Sequence, residues 1–168
     1  LYGEKCFDFF DGMWSLAIFD KAKNEIILSR DRFGEKPLYI YKDKKGIYFG
    51  SEIKYIKSLT NYKFKINYQK IQKFLQFGYK SIFKDNKSFF ENIYHLKQGS
   101  YLKYNIKRTI NKTYWNFKSK LVLNKSLKNL IKIYKKKYIE SLKIRLRSDV
   151  PIALCLSGGI DSATIAGI

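Results

Sequence analysis

The chain has 168 residues, of which 34 are Lys or Arg and 14 are Asp or Glu, for a net charge of +20. Apolar residues make up 45%, enough to bury a core and too many for a disordered chain. No apolar run reaches the ~18 residues of a membrane span, and two cysteines, Cys6 and Cys155, exclude a disulfide scaffold.

The sparse cysteines point to a reducing compartment, and no signal-like segment opens the chain, so a cytoplasmic protein is expected. The sequence starts at Leu1 and stops at Ile168 inside an apolar pattern. Both ends read as cut, which predicts an internal piece of a longer protein. The charge invites a nucleic-acid reading. Only five of the cations are Arg, however, and Arg is the usual tool of bidentate recognition. Lys, Ile, Asn, Tyr and Phe, all with A/T-rich codons, supply about half the chain, so compositional bias explains the lysines as surface filler. The one tight run, Lys135-Lys136-Lys137, reads as a solvated helix face. A basic nucleic-acid-binding module is kept as the different-class alternative, with no specific nucleic acid expected.

In chain order, 13–20 is an apolar run of strand length, 21–24 a polar turn and 25–30 the return strand. A Gly- and Pro-punctuated loop, 31–37, precedes a hairpin made of 38–41 and 46–50. A short helix over 51–56 is expected with Ser51 as its cap. Residues 67–78 predict a second helix, with Ile71, Phe74, Leu75 and Phe77 on its apolar side and Gly78 as its stop. Residues 79–100 read as irregular. Short strands are expected at 101–104 and 114–117 around a polar turn.

Character changes after 118–124. Leu127, Leu130, Ile131, Tyr134, Tyr138, Leu142 and Leu146 form one apolar stripe on a long helix within 124–147. Pro151 lies past its end. Residues 152–156 (Ile-Ala-Leu-Cys-Leu) suit a strand buried on both faces, as in a parallel sheet. A Ser157-Gly158-Gly159-Ile160-Asp161-Ser162 turn follows, and a helix starts at Ala163.

That turn carries chemistry. Glycines without a Cβ let backbone N–H groups approach an anion. The following helix presents unpaired N–H groups and its positive dipole end. Ser157 and Ser162 add hydroxyl donors, so the segment is a phosphate cradle. Asp161 would repel phosphate alone but suits Mg²⁺, which takes one or two carboxylates plus phosphate oxygens. The Walker pattern is absent.

The turn resembles the pyrophosphate loop of the ATP pyrophosphatases. The blocks 12–20, 29–39 and 49–54 resemble the second half of a class II glutamine amidotransferase domain. Residues 148–151 leading into 157–162 resemble the opening of an asparagine synthetase domain. Together the blocks, in order and over essentially the whole chain, are similar to the glutamine-hydrolysing asparagine synthases of bacterial type B.

The resemblance implies an α/β (α+β) protein. Residues 1–119 would be the C-terminal part of the amidotransferase domain, a partial αββα sandwich of the N-terminal-nucleophile type lacking its first strands. Residues 120–168 would be the first helix-strand-helix of a doubly wound parallel ATP-pyrophosphatase domain. The implied reaction of the intact protein converts aspartate, ATP and glutamine to asparagine, AMP, pyrophosphate and glutamate through β-aspartyl-AMP. The implied small-molecule partners are these substrates, with ATP and Mg as cofactors, no membrane, and a homodimer as the expected assembly. A related amidotransferase acting on another carboxylate is the near alternative.

Residue by residue, Ser157, Gly158, Gly159, Asp161 and Ser162 match the pyrophosphate loop, with Asp161 as the Mg ligand. Cys155 falls where the family's strand backbone nears adenine; its thiol is expected in a core. The family's N-terminal Cys nucleophile precedes the matched region, and Cys6 does not replace it. No catalytic residue is therefore carried over, and the piece alone is expected to be inactive. Arg30, Asp31, Ser51 and Glu52 are read as structural ion pairs or caps. His95, without a nearby ligand partner, is not read as a metal site.

Overall fold

A computed structural model of the chain describes residues 2–82, 84–119 and 126–168. The expected start of the long helix at 124, and most of the expected domain break, lie outside them. The architecture is mixed α/β with antiparallel sheets, in two compact units, Leu1–Phe117 and Lys118–Ile168.

The first unit is built from hairpins. Strands β1 (Ser15–Asp20) and β2 (Glu25–Arg30) pair antiparallel with Ser15 opposite Arg30 and Asp20 opposite Glu25. The turn between them closes on the Asp20 carboxylate, which accepts from the Lys23 N–H at 3.1 Å, and Asn24 takes the positive φ of 47°. Strands β3 (Tyr39–Lys42) and β4 (Ile47–Gly50) form the second hairpin. Strand β5 (Ile93–His95) adds to the other edge of β3, inside the stretch read as irregular. Three residues bounded by turns carry too short a pattern to stand out in sequence.

Strand β6 (Ser100–Asn105) pairs with β2, and β7 (Arg108–Thr113) pairs with β6. The partner strand expected at 114–117 thus lies earlier. The Asn105 carboxamide oxygen accepts from the N–H groups of Lys107 and Arg108 at 3.0 and 2.9 Å, closing a turn tighter than the polar composition suggested. The two sheets, ordered β1-β2-β6-β7 and β4-β3-β5, share one core of Leu28, Leu102, Leu38, Ile40 and Leu96.

The other face of the smaller sheet packs Tyr41 and Ile93 against Ile56 of helix α1 (Ile53–Thr60) and Phe64. The order is therefore sheet, sheet, helix. Glu52, not Ser51, occupies the N-cap of α1, extended and without a side-chain cap bond. Helix α2 (Tyr68–Phe77) starts on Asn67, whose side chain accepts from Lys70 N–H at 3.1 Å, and stops at Gly78 with φ of 67°. Its apolar side is narrower than expected. Phe74 meets Phe89 edge-on at 5.6 Å, but Leu75 and Phe77 are exposed.

Lysine is not surface filler everywhere. Lys70 on α2 is buried, and its ammonium donates to Asp85 Oδ1 at 2.7 Å and to the carbonyls of Ser81 and Ile82 at 3.3 and 3.0 Å. Those three acceptors compensate desolvation of the charge.

The second unit holds helix α3 (Leu127–Arg145), capped by Ser126, and helix α4 (Ile160–Ala166). α3 keeps the expected helical stretch, but Leu127, Ile131, Tyr134 and Leu146 of its stripe are exposed. The strand expected over 152–156 does not form. The segment joins no ladder among the described residues, and Ile152, Leu154 and Leu156 are exposed. A strand exists only through hydrogen bonds to a neighbour, whatever its apolar pattern. α4 begins at Ile160, inside the turn, rather than at Ala163.

Candidate functional site

The loop 157–162, read from sequence as a phosphate cradle, is built by local forces. Gly158 adopts φ of 77°, the left-handed region that L side chains avoid, and a Cβ there would meet nothing within 4 Å. Gly159, extended at φ −84° and ψ 161°, is the N-cap of α4 and has no side chain to occupy the helix end. The first helical bond runs from Ala163 N–H to the Gly159 carbonyl at 3.0 Å. The N–H groups of Ile160, Asp161 and Ser162 precede it, as donors that a helix start leaves without intrahelical partners.

The two hydroxyls frame this end. Ser157 Oγ and Ser162 Oγ lie 3.1 Å apart, and Ser162 Oγ also donates to the Gly159 carbonyl at 3.1 Å. The structure therefore brings together Ser157, Gly158, Gly159 and Ser162. Asp161 stands in the first turn of α4, exposed. Cys155 lies two residues before the loop and is exposed, not the buried core thiol expected. The burial failed with the strand, because only a sheet around 152–156 would enclose it.

These groups suit a phosphoryl ligand: backbone and hydroxyl donors at a helix start, with space above Gly158. For Mg²⁺ the loop supplies one carboxylate, and no group of three or more His, Cys, Asp or Glu side chains gathers among the described residues. A hard cation here would take its remaining ligands from phosphate oxygens and water.

The first unit contains a second organised loop. The Asp31 carboxylate is 1% exposed and accepts four backbone N–H groups: Trp14 at 3.3 Å, Phe33 at 3.1 Å, and Glu35 and Lys36 at 3.0 Å each. Arg30 answers it on the carbonyl side. Its Nε donates to the Lys36 carbonyl at 2.7 Å and its Nη1 to Leu96 at 2.9 Å, while Nη2 donates to Gly34. Burial lowers the Arg30 pKa below its usual value, and Asp31 opposes that shift. Arg30 and Asp31 are structural, as expected, but they hold backbone groups and form no ion pair with each other or with another described side chain.

Glu52 pairs with Lys54 at 2.8 Å on the surface. Tyr114 donates its hydroxyl to the Arg30 carbonyl at 2.8 Å, and burial pushes its pKa up to about 12. Cys6 sits in a short 3₁₀ turn, Gly3–Asp8, whose Phe7 stacks on Trp14 at 5.8 Å. His95 lies under the Tyr39 ring, centroids 4.2 Å apart. Burial, then Arg30 and Lys70, bring its pKa down to about 4. Nothing in the sequence marked His95 as half-buried, because the strand that carries it is only three residues long.

With this geometry in place, comparison with known proteins is decisive. Residues 1–115 match the family model described as glutamine amidotransferase domain. The chain belongs to that family. Residues 134–168, which include the cradle, match the model described as asparagine synthase.

Among curated relatives, the Bacillus subtilis protein named asparagine synthetase (glutamine-hydrolyzing) 2 is 39% identical over 178 residues, covering 99% of this chain and 24% of that protein. A Methanocaldococcus jannaschii protein, provisionally named asparagine synthetase (glutamine-hydrolyzing) 2, is 38% identical, covering 99% of this chain and 32% of the relative. Amidase chry2 of Gibberella zeae is 28% identical, covering 99% of this chain and 24% of its own length. This amidotransferase-family chain thus spans a third or less of the relatives it matches.

Proposed function

We propose that this chain is part of an ATP-dependent, glutamine-hydrolysing asparagine synthase, carrying the end of its amidotransferase domain and the start of its synthetase domain. The observation that carries the reading is the loop 157–162. A left-handed glycine and a bare N-cap open a helix between two hydroxyls, downstream of an amidotransferase sequence.

In this reading, residues 1–119 are the later part of an αββα amidotransferase sandwich, which the sheet-sheet-helix order supports. Residues 120–168 open a doubly wound domain in which 152–156 becomes a strand once neighbouring strands pair with it. The backbone N–H groups after Gly159 and the hydroxyls of Ser157 and Ser162 bind the pyrophosphate end of ATP. Gly158 keeps the approach clear. The Cys155 backbone borders the adenine. Asp161 is the residue that would hold Mg²⁺, and a bound Mg²⁺ would supply charge neutralisation for the phosphates.

Adenylation gives a carboxylate a leaving group that ammonia can displace, and an enclosed path keeps ammonia from bulk water. The intact protein would act on aspartate, ATP and glutamine in the cytoplasm as a homodimer. A related enzyme amidating a different carboxylate is the second reading. It is favoured by the relative named an amidase.

The test is the full-length protein supplied with glutamine, ATP, Mg²⁺ and either aspartate or a panel of other carboxylic acids. Asparagine and AMP formed in equal amounts support the proposal. AMP formation with another acid only would select the second reading. In the same assay, Asp161→Asn and Ser157→Ala should lower ligase turnover while glutamine hydrolysis persists.

A further inference from the structure

The three hairpin turns of the two sheets emerge at one end of the first unit. The strands close on them at Asp20 opposite Glu25, Lys42 opposite Ile47 and Asn105 opposite Arg108. Ile26 pairs with Tyr104, which sets the first turn beside the third. Lys42 ties in the second. Its ammonium donates to Thr109 Oγ1 at 2.8 Å and lies 5.2 Å from the centre of the Tyr104 ring.

Positive charge gathers on this end. Lys21, Lys42, Lys44, Lys45, Lys107 and Arg108 are exposed, and none has an ion-pair partner among the described residues. The carboxylates of the turns and adjoining strands are already engaged. Asp20 pairs with Lys23 at 3.4 Å, and Glu4 and Glu25 share Lys103. Asp43 Oδ1 accepts the N–H groups of Lys45 and Gly46 at 2.8 and 3.1 Å. With Lys23 and Lys103 counted, eight cations face those four carboxylates. The loops at the other end of the strands mix the signs, with Asp11, Asp31 and Glu35 beside Arg30 and Arg32.

The third turn adds an apolar tip. Ile106 is 90% exposed, more than any other large apolar side chain among the described residues, and Lys107 and Arg108 follow it. An aliphatic side chain standing in water amid cations is the pattern of an interfacial contact, apolar atoms inward and basic groups at the headgroups.

We propose that this end of the first unit docks on an anionic phospholipid surface. Ile106 enters the headgroup boundary and the turn cations lie among the lipid phosphates. Lipid is favoured over nucleic acid for two reasons. Five of the six unpaired cations are Lys, a point charge, whereas Arg is the bidentate phosphate reader. Ile106 gains by leaving water but has no π-face on which a base could stack. No described helix is long and apolar enough to cross a membrane, so the contact is peripheral. It revises the expectation of no membrane, and it rests on the first unit without the synthase reading.

The full-length protein is mixed with vesicles of phosphatidylcholine alone, or of equal parts phosphatidylcholine and phosphatidylglycerol, at physiological ionic strength. Co-sedimentation reads the bound fraction. Binding to the anionic vesicles only is expected. Ile106→Ser keeps the charge and should weaken binding about tenfold, the scale of withdrawing one buried aliphatic side chain. The variant K44A/K45A/K107A/R108A should weaken it at least ~100-fold, at about fivefold per cation. Replacing Lys36 and Lys97 by Ala at the other end, ~20 Å away along the strands, should change it less than about twofold. All these side chains are exposed, so each variant should keep the parent's circular dichroism.

No binding to either vesicle overturns the proposal. So does an Ile106→Ser variant that binds as the parent does, or a Lys36 and Lys97 variant weakened as much as the turn variant. Either would reduce the effect to diffuse adsorption of a chain of charge +20. Preference for a single-stranded oligonucleotide over the vesicles, lost in the turn variant, would make this end a nucleic-acid surface and also overturn it.

Discussion

Two glycine-bearing loops, 31–36 and 157–162, are held in opposite ways. The first is fixed from beneath by buried charge, with Asp31 gathering backbone N–H groups and Arg30 gathering carbonyls. The second is held by its own backbone and by two exposed hydroxyls 3.1 Å apart. The first is a framework that tolerates no vacancy. The second is open at the surface, as a loop must be if it is to close on a ligand. Tertiary burial makes a loop rigid and intolerant, while local geometry alone can preshape a binding loop.

The largest break in this contrast is Asp31→Ala. It removes the buried carboxylate that four part-buried backbone donors share, and losing one partner of a buried charged network costs ~3–5 kcal/mol. The expected outcome is loss of cooperative unfolding of the first unit in urea, followed by tryptophan fluorescence.

Next come two glycines with similar dihedrals in different surroundings. At Gly99, φ is 60° and a Cβ would sit 2.5 Å from the Trp115 carbonyl oxygen. At Gly158, φ is 77° and a Cβ would meet nothing. Gly99→Ala should cost ~3 kcal/mol or more, since strain and a backbone clash add. Gly158→Ala should cost only the ~1–2 kcal/mol of the left-handed region. Equal losses in paired urea titrations would mean that surroundings do not matter.

A pH series sharpens the comparison further. His95 is held near a pKa of about 4, below its ordinary 6.5, so the unfolded chain binds more protons between those values. The stability His95 contributes is complete above pH 6.5 and is lost as the pH falls toward 4. The slope is at most ~1.4 kcal/mol per pH unit. Glu4 is lowered first by its hydrogen bond to Lys103, and Asp85, against burial that raises it, by its hydrogen bond to Lys70; their contributions are lost as the pH falls from their ordinary values of 4.5 and 3.8. His95→Gln should flatten the curve between pH 4 and 6.5 and leave the more acidic limb in place.

The smallest expected effect is Ser157→Ala. Its exposed hydroxyl contact adds little, so stability should change by less than ~0.5 kcal/mol. Binding of pyrophosphate to the full-length protein, measured by calorimetry, should nevertheless weaken. A large stability loss would show that the loop is a framework after all.

Much of this was legible along the chain. The hairpins at 15–30 and 39–50 follow from apolar runs broken by polar turns, and α2 from its apolar positions and the Gly78 stop. Strand β7 was misplaced because one carboxamide, Asn105, decides where the turn closes. Lys70 was indistinguishable from the other lysines until its pocket of carbonyls and Asp85 came into view. The cradle residues stood out as a motif. The segment before them read as a strand on its composition, which cannot supply the hydrogen-bonding neighbour that makes one.

The sequence by itself determined a set of local events: the turns of the first two hairpins, the stop of α2 at Gly78, and a Ser-Gly-Gly-x-Asp-Ser loop opening a helix. These depend on dihedral preferences and on contacts a few residues apart. Only the tertiary structure decided that Asp31 and Arg30 anchor a loop rather than each other, and that His95 is half-buried near two cations. Those outcomes combine partners a few residues away, in 33–36, with others far along the chain: Leu96 for Arg30, Trp14 for Asp31, and Arg30 and Lys70 for His95. Desolvation and hydrogen bonding set the role of a charged side chain, and both are properties of its surroundings.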